Sequence, residues 1–291
     1  MMSSMNRRES LKMISIFGLA SFLPINTFSQ LLETSCDTCI KAWKSLGKFN
    51  KTRYQFRYIA PVANLPKVFI YGDSISIGYT EFVRASLKGK ACVYRLHENG
   101  ESSNDFIRKM EKFRNTMFQP NLKDGWNFEW DVIHFNVGLH DLKYLDGKKL
   151  DKKRGVQVSS LEVYEKNLGE IIQYLKNTYP TTKLVFATTT PVPEGEPGRV
   201  AGDAVKYNKV ALKVMKEHPE IIVNDLYTFS GPVQKEYAHS PGNVHYKEEG
   251  SRLQGIEVAK IIGNAIEVTP LECPSAEVIA AQFKEYESKI K

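Results

Sequence analysis

The sequence predicts a three-layer α/β/α domain built on a parallel, mainly five-stranded sheet. Three observations predict it. Short, nearly continuous apolar runs alternate with segments of helical periodicity, the pattern of strands buried on both faces. Glycine, asparagine and proline close the runs. Polar and reactive residues collect just after them, where open parallel sheets hold their ligands. The chain of 291 residues is 42% apolar and 25% charged, enough to bury one sizeable core. Its 11% aromatic content excludes a wholly disordered chain. Forty Lys and Arg against 33 Asp and Glu leave a formal charge of +7. No long basic run accompanies that charge, so no nucleic-acid partner is expected.

In chain order, residues 1–29 read as an export signal. Arg7, Arg8 and Lys12 precede an apolar run from Met13 to about Ile25, and Thr27 and Ser29 supply the small residues of a cleavage site. The run is shorter than the roughly 20 residues of an ordinary membrane span. A periplasmic or extracellular chain, with no stable membrane insertion after cleavage, is expected. Residues 30–66 form a polar, aromatic lead-in. Cys36 and Cys39 form a CxxC there, without the preceding strand of a redox centre or the second pair of a zinc site. With Cys92 and Cys273, either plain thiols or a local bridge fits.

The core domain spans 67–268, with a C-terminal helical extension at 269–291. Residues 67–71, Lys-Val-Phe-Ile-Tyr, make the first strand and stop at Gly72. A helix is expected over 77–87, a strand over 91–96 and a helix over 105–118. A strand over 130–136 follows. Ser160 opens a long amphipathic helix to 179, with Glu162 and Glu165 in its first turns. A strand over 184–188, a helix over 203–218, a strand over 221–223 and a helix over 247–266 complete the core. One more amphipathic helix fits 276–290.

Ser74 follows the first strand, Gly100 the second, His140 and Asp141 the third, and His245 precedes the last core helix. Nucleophilic catalysis needs a serine, a histidine to take its proton and N–H donors for the oxyanion. Ser74 and His245 supply the first two, and the Gly100 N–H is a candidate donor unobstructed by a side chain. Each also has an ordinary explanation. A serine after a strand is commonly a helix cap, and a lone loop histidine is commonly structural. Asp73 fits a cap or loop pin, and Asp141 the same. His134 lies within a strand, a core position. Trp126, Trp130 and Tyr144 fit core packing better than a sugar platform. Gly195, Gly198 and Gly202 suggest a mobile rim, where Arg199 is placed to meet an anionic substrate.

These residues resemble the SGNH (GDSL-type) hydrolases. Gly72-Asp73-Ser74, Gly100, Gly138-x-x-Asp141 and His245 follow that family's blocks in order over about 67–266. The phrases around 135–141 and 189–193 resemble an exported bacterial subgroup. The resemblance implies a flavodoxin-like fold, esterase chemistry with no cofactor or metal, Ser74 as nucleophile and His245 as base. It also implies an oxyanion hole formed partly by the N–H groups of Ser74 and Gly100. Two positions depart from the family. His140 stands where the family has an oxyanion asparagine, and an imidazole N–H can take that role. Gly242 stands where the family's third carboxylate is expected, so Asn243 or a backbone carbonyl is left to orient His245, and Gly242→Asp is expected to help.

The expected function is hydrolysis of a short acyl ester, most consistent with an acetyl group on a carbohydrate. The missing carboxylate suits a non-catalytic carbohydrate-binding or scaffold protein on a decayed hydrolase fold, which acylation of Ser74 would distinguish. Gly138-Leu139-His140-Asp141 resembles an element of the dinuclear metallophosphoesterases, but their upstream Asp-x-His is absent.

Overall fold

A computed structural model describes residues 36–48, 52–122 and 126–290, and these belong to one compact unit spanning Glu33–Lys291. The expected export signal lies outside the described residues. The main sheet has five strands: β1 (Lys67–Tyr71), β2 (Cys92–Arg95), β3 (Val132–Phe135), and, further along, β7 (Lys183–Ala187) and β8 (Ile222–Asn224). Their spatial order is β2-β1-β3-β7-β8, and every pairing is parallel. The strand order reverses between β1 and β3. Chains leaving these two neighbours diverge to opposite sides and open a crevice at their carboxyl ends.

β1 and β3 are buried along their whole length, as apolar strands covered on both faces must be. The covering helices are α2 (Ser74–Ser86), α3 (Phe106–Met117), α4 (Leu161–Thr178), α5 (Asp203–Lys216) and α7 (Glu248–Ala265). The expected fold is therefore the observed one. One difference matters to chemistry: α2 starts at Ser74, three residues before the apolar periodicity, because Asp73 Oδ1 accepts the Ile75 N–H at 2.9 Å and caps it.

Three further elements have weaker sequence signals. α1 (Asp37–Ser45) sits in the lead-in and buries Trp43. Cys36 and Cys39 form a local disulfide at its start, while Cys92 and Cys273 are free and buried. α6 (Leu226–Tyr237) carries Pro232 inside it. Between β3 and α4 the chain makes a small antiparallel sheet of β4 (Tyr144–Asp146), β5 (Lys149–Leu150) and β6 (Val156–Gln157), in the order β5-β4-β6. α8 (Ala276–Ile290) forms the C-terminal extension. No helix among the described residues is long and apolar enough to cross a membrane.

Trp126 and Trp130 are 2% exposed. They pack among Trp43, Phe113 and Tyr94, beside the amino end of β3. They are core residues at the end of the sheet opposite Ser74.

Candidate active site

Each candidate side chain comes from a different carboxyl-end connection. The β1–α2 turn presents Ser74, partly exposed at the first residue of the helix. There its backbone N–H has no intrahelical partner and sits at the positive end of the helix dipole. The 238–246 turn brings His245 back over the sheet. It is held by an antiparallel bridge between Ala238 and Tyr246 and by a His239 N–H to His245 carbonyl bond of 2.9 Å.

The structure sets His245 Nε2 2.9 Å from Ser74 Oγ. Asn243 Oδ1 lies 2.9 Å from the His245 backbone N–H and 2.8 Å from its ring Nδ1. The backbone N–H can only donate, so the amide atom facing it is the oxygen. That oxygen can only accept, so Nδ1 carries the ring proton. Nε2 therefore offers its lone pair to the Ser74 hydroxyl. Burial first, then the Arg199 and His239 charges, hold the His245 pKa below the ordinary value, with Glu196 opposing them.

His140 is held differently. Lys143 Nζ lies 3.0 Å from His140 Nδ1. An ammonium has no lone pair, so Nδ1 accepts and Nε2 carries the proton. Burial, then Lys143 and Arg199, push the His140 pKa down to about 2, keeping the ring neutral. A neutral ring with Nε2–H as its remaining donor is the arrangement an oxyanion contact needs. Lys143 was not singled out by sequence reasoning, since a lysine five residues past Gly138 has no motif of its own.

Gly100 does not serve as expected. Its N–H donates to the Gly72 carbonyl at 2.9 Å, so it is not free for a substrate oxygen. A Cβ at this position would meet Gly72 O and the Tyr71 ring at 2.8 Å. The glycine lets the loop after β2 lie against the end of β1, directly beneath the Ser74 turn.

Asp73 and Asp141 have supporting positions. Asp73, 1% exposed, caps α2. The Asp141 carboxylate accepts from the Ser103 N–H, the Ser103 hydroxyl and the Ser159 hydroxyl, tying the connections after β2 and β3 together. Asn136, which carried no expectation, donates to the Ala187 and Thr188 carbonyls and fixes the end of β3 to that of β7.

Two other expectations fail. Arg199 does not face substrate: it is 6% exposed, donates to the Leu139 carbonyl and pairs with Glu196 at 2.6 Å. The segment after Pro193 is pinned rather than loose, because Glu196 also accepts the Gly198 N–H at 2.6 Å. Gly242, at the family's carboxylate position, has φ +70°, and a Cβ there would stand 2.8 Å from the Gly195 carbonyl oxygen. A side chain at 242 is excluded by backbone, and Asn243 takes the orienting contact instead. Among the described residues no cluster of three or more His, Cys, Asp or Glu is placed to hold a metal ion.

No family model matches the sequence, and a comparison with curated proteins found no match. Solved structures do share the fold. A lipase/acylhydrolase from Enterococcus faecalis superposes with a TM-score of 0.52 at 18% identity, over 72% of this chain and all of that one. A GDSL-like lipase from Parabacteroides merdae gives 0.51 at 19% identity, over 71% and 99%. A carbohydrate esterase family 2 enzyme with a carbohydrate-binding domain, from Corynascus thermopiles (Myceliophthora fergusii), gives 0.51 at 15% identity, over 71% and 69%.

Proposed function

We propose that this chain, which has the fold of the GDSL-type lipases and acylhydrolases, is an exported serine esterase. In this reading it removes a short acyl group, acetyl above all, from a carbohydrate. The observation that carries the reading is the Ser74–His245–Asn243 line, with Oγ–Nε2 and Nδ1–Oδ1 distances of 2.9 and 2.8 Å. The tautomer is the one a general base requires. A protein that had only inherited the fold has no need to keep it. Export rests on the basic, apolar and small-residue pattern of residues 1–29. The carbohydrate rests on the resemblance in sequence, and the carbohydrate esterase among the fold relatives is in keeping with it.

The steps follow from the geometry. His245 Nε2 takes the Ser74 hydroxyl proton as Oγ bonds to the ester carbonyl carbon, and the carbonyl π electrons move to its oxygen. That oxyanion meets the Ser74 N–H at the helix start and the His140 Nε2–H. The imidazolium returns its proton to the departing sugar alkoxide as the C–O bond breaks, leaving acylated Ser74. Water repeats the sequence: His245 takes its proton, hydroxide oxygen bonds to the acyl carbon, and Ser74 leaves reprotonated. Asn243 holds the ring in place throughout. A neutral amide stabilises the imidazolium less than a carboxylate does.

The test is hydrolysis by the purified chain lacking residues 1–29, on 4-nitrophenyl acetate and an O-acetylated glycan. Ser74→Ala and His245→Ala should each lower kcat by roughly three orders of magnitude or more, and the double variant little further. His239→Ala should cost far less. Full activity in Ser74→Ala would end this reading.

A further inference from the structure

We propose that the acyl group is carried on an anionic polysaccharide, and that the small antiparallel sheet between β3 and α4 is the surface that binds it. The proposal rests on the esterase reading for its chemistry and on charge placement for its substrate class.

The position of the sheet comes first. Tyr144 opens it four residues after His140, and its base is closed by the Val158 N–H to Lys143 carbonyl and Ser159 N–H to Asp141 carbonyl bonds. Its outer side is bonded to the pinned segment after Pro193: the Tyr144 N–H donates to Gly198 O at 2.7 Å and the Lys152 N–H to Pro197 O at 3.1 Å. That segment in turn abuts Gly242, within the turn that carries Asn243 and His245. The sheet, the 195–199 segment and the histidine turn thus make one continuous rim.

Charge comes second. Residues 143–154 hold six Lys and Arg against two Asp, four of the chain's net seven positive charges. In sequence the cations are interrupted by Leu150 and Asp151; the antiparallel fold gathers them on one excursion. Both carboxylates are taken by Arg154, at 3.3 Å for Asp146 and 2.9 Å for Asp151. Lys148, Lys149 and Lys153 are exposed and Lys152 partly so, and none of the four has an ion-pair partner among the described residues. Some helix lysines are paired, Lys176 with Glu220, Lys213 with Glu165 and Lys289 with Glu285, whereas these four are gathered without a carboxylate partner on one short excursion.

The field continues inward. Half-buried Lys143 has no carboxylate within ion-pair distance among the described residues, and its ammonium already touches His140. A neutral glycan gains nothing from this unbalanced charge, while a polymer with repeating carboxylates or sulfates neutralises it along the rim. Lysine point charges suit anions at loose spacing, whereas Arg154, the one guanidinium, is occupied. Nucleic acid is disfavoured: Tyr144 is the only aromatic in the segment, at its base, so no stacking platform interleaves the cations.

The test compares the wild-type chain with K148E/K149E/K152E/K153E, four surface positions away from the catalytic groups. Rates on O-acetylated polygalacturonate, O-acetylated glucomannan and 4-nitrophenyl acetate are measured at low and high NaCl. The expected result is a kcat/KM on the polyuronide about tenfold above that on the glucomannan at low salt. Salt and the quadruple substitution should erase that advantage and leave the aryl ester unchanged. Equal rates on the two polysaccharides, or an advantage that survives the substitution, overturns the proposal. Binding is read separately by affinity electrophoresis in unacetylated polygalacturonate, dextran sulfate and DNA. Retardation of wild type but not the variant by either polysaccharide supports it, and the two gels separate carboxylate from sulfate recognition. No retardation, equal retardation of both proteins, or stronger retention by DNA overturns it. If no ester is hydrolysed, the esterase reading falls while the binding result still decides the surface.

Discussion

His140 and His245 show how one residue type can be set to opposite tasks by a single partner. Asn243 accepts at the His245 Nδ1 and leaves Nε2 with its lone pair free, whereas Lys143 donates to the His140 Nδ1 and leaves Nε2 as a donor. The Lys143 contact therefore governs the proposed oxyanion contact. Lys143→Met keeps the length and apolar stem but removes the proton that selects the tautomer. It should lower kcat roughly tenfold to a hundredfold with little change in KM, as expected for a contact made mainly in the transition state. A change confined to KM would mean Lys143 only binds substrate. The two histidines were visible in the sequence because each follows or precedes an element boundary. Their protonation was not, since it depends on which atom of a distant or neighbouring group folds against each ring.

At the scale of elements, legibility followed local signal. The five core strands are apolar enough to read directly, and α4 announces itself through Ser160, whose side chain accepts the Val163 N–H. The small sheet was missed because its strands are two or three residues long and largely exposed, joined by lysine-bearing turns, so no alternation of apolar and polar residues develops. α6 was missed because Gly231 and Pro232 lie inside it; its start is held by Asp225, which accepts the Thr228 N–H. The histidine turn was located from sequence, but its backbone was not. Gly242 reads as a lost carboxylate, yet φ +70° and the Gly195 carbonyl leave no room for one. Gly242→Asp should therefore destabilise the turn rather than restore a triad. The expected outcome is a lower kcat and a Tm reduced by several degrees. A rise in kcat would mean the turn can rearrange to accept a carboxylate.

For the molecule as a whole, the parallel order β2-β1-β3-β7-β8 does two things. It opens the crevice between β1 and β3 where the serine and histidine turns converge. It also buries groups that must stay neutral. His134, 0% exposed on β3, has its pKa pushed down to about 4 by burial. Unfolded, the same histidine titrates near 6.5. Its neutral form is thus compatible with the fold at full stability above pH 6.5, and stability falls as pH drops from there towards 4, where the unfolded chain binds the extra proton. This single group should cost about 3 kcal/mol across that window. Denaturant unfolding at pH 7 and pH 4.5 should show a pH-dependent loss that is smaller in His134→Gln. Identical losses would place the acid sensitivity elsewhere. In the same range activity should persist to lower pH than with an ordinary histidine base. Because the His245 pKa is held below its usual value, the acid limb of kcat/KM should lie below pH 6.5.

The central claim is that Ser74 is a nucleophile activated by His245, and covalent labelling tests it most directly. The native chain lacking residues 1–29 is treated with an organophosphonate that reacts with activated serines, and the modified peptide is identified by mass spectrometry. One phosphonyl group per chain on Ser74 is predicted, absent in Ser74→Ala and formed far more slowly in His245→Ala. Labelling of a different serine, or equal labelling of Ser74 with and without His245, would contradict the account.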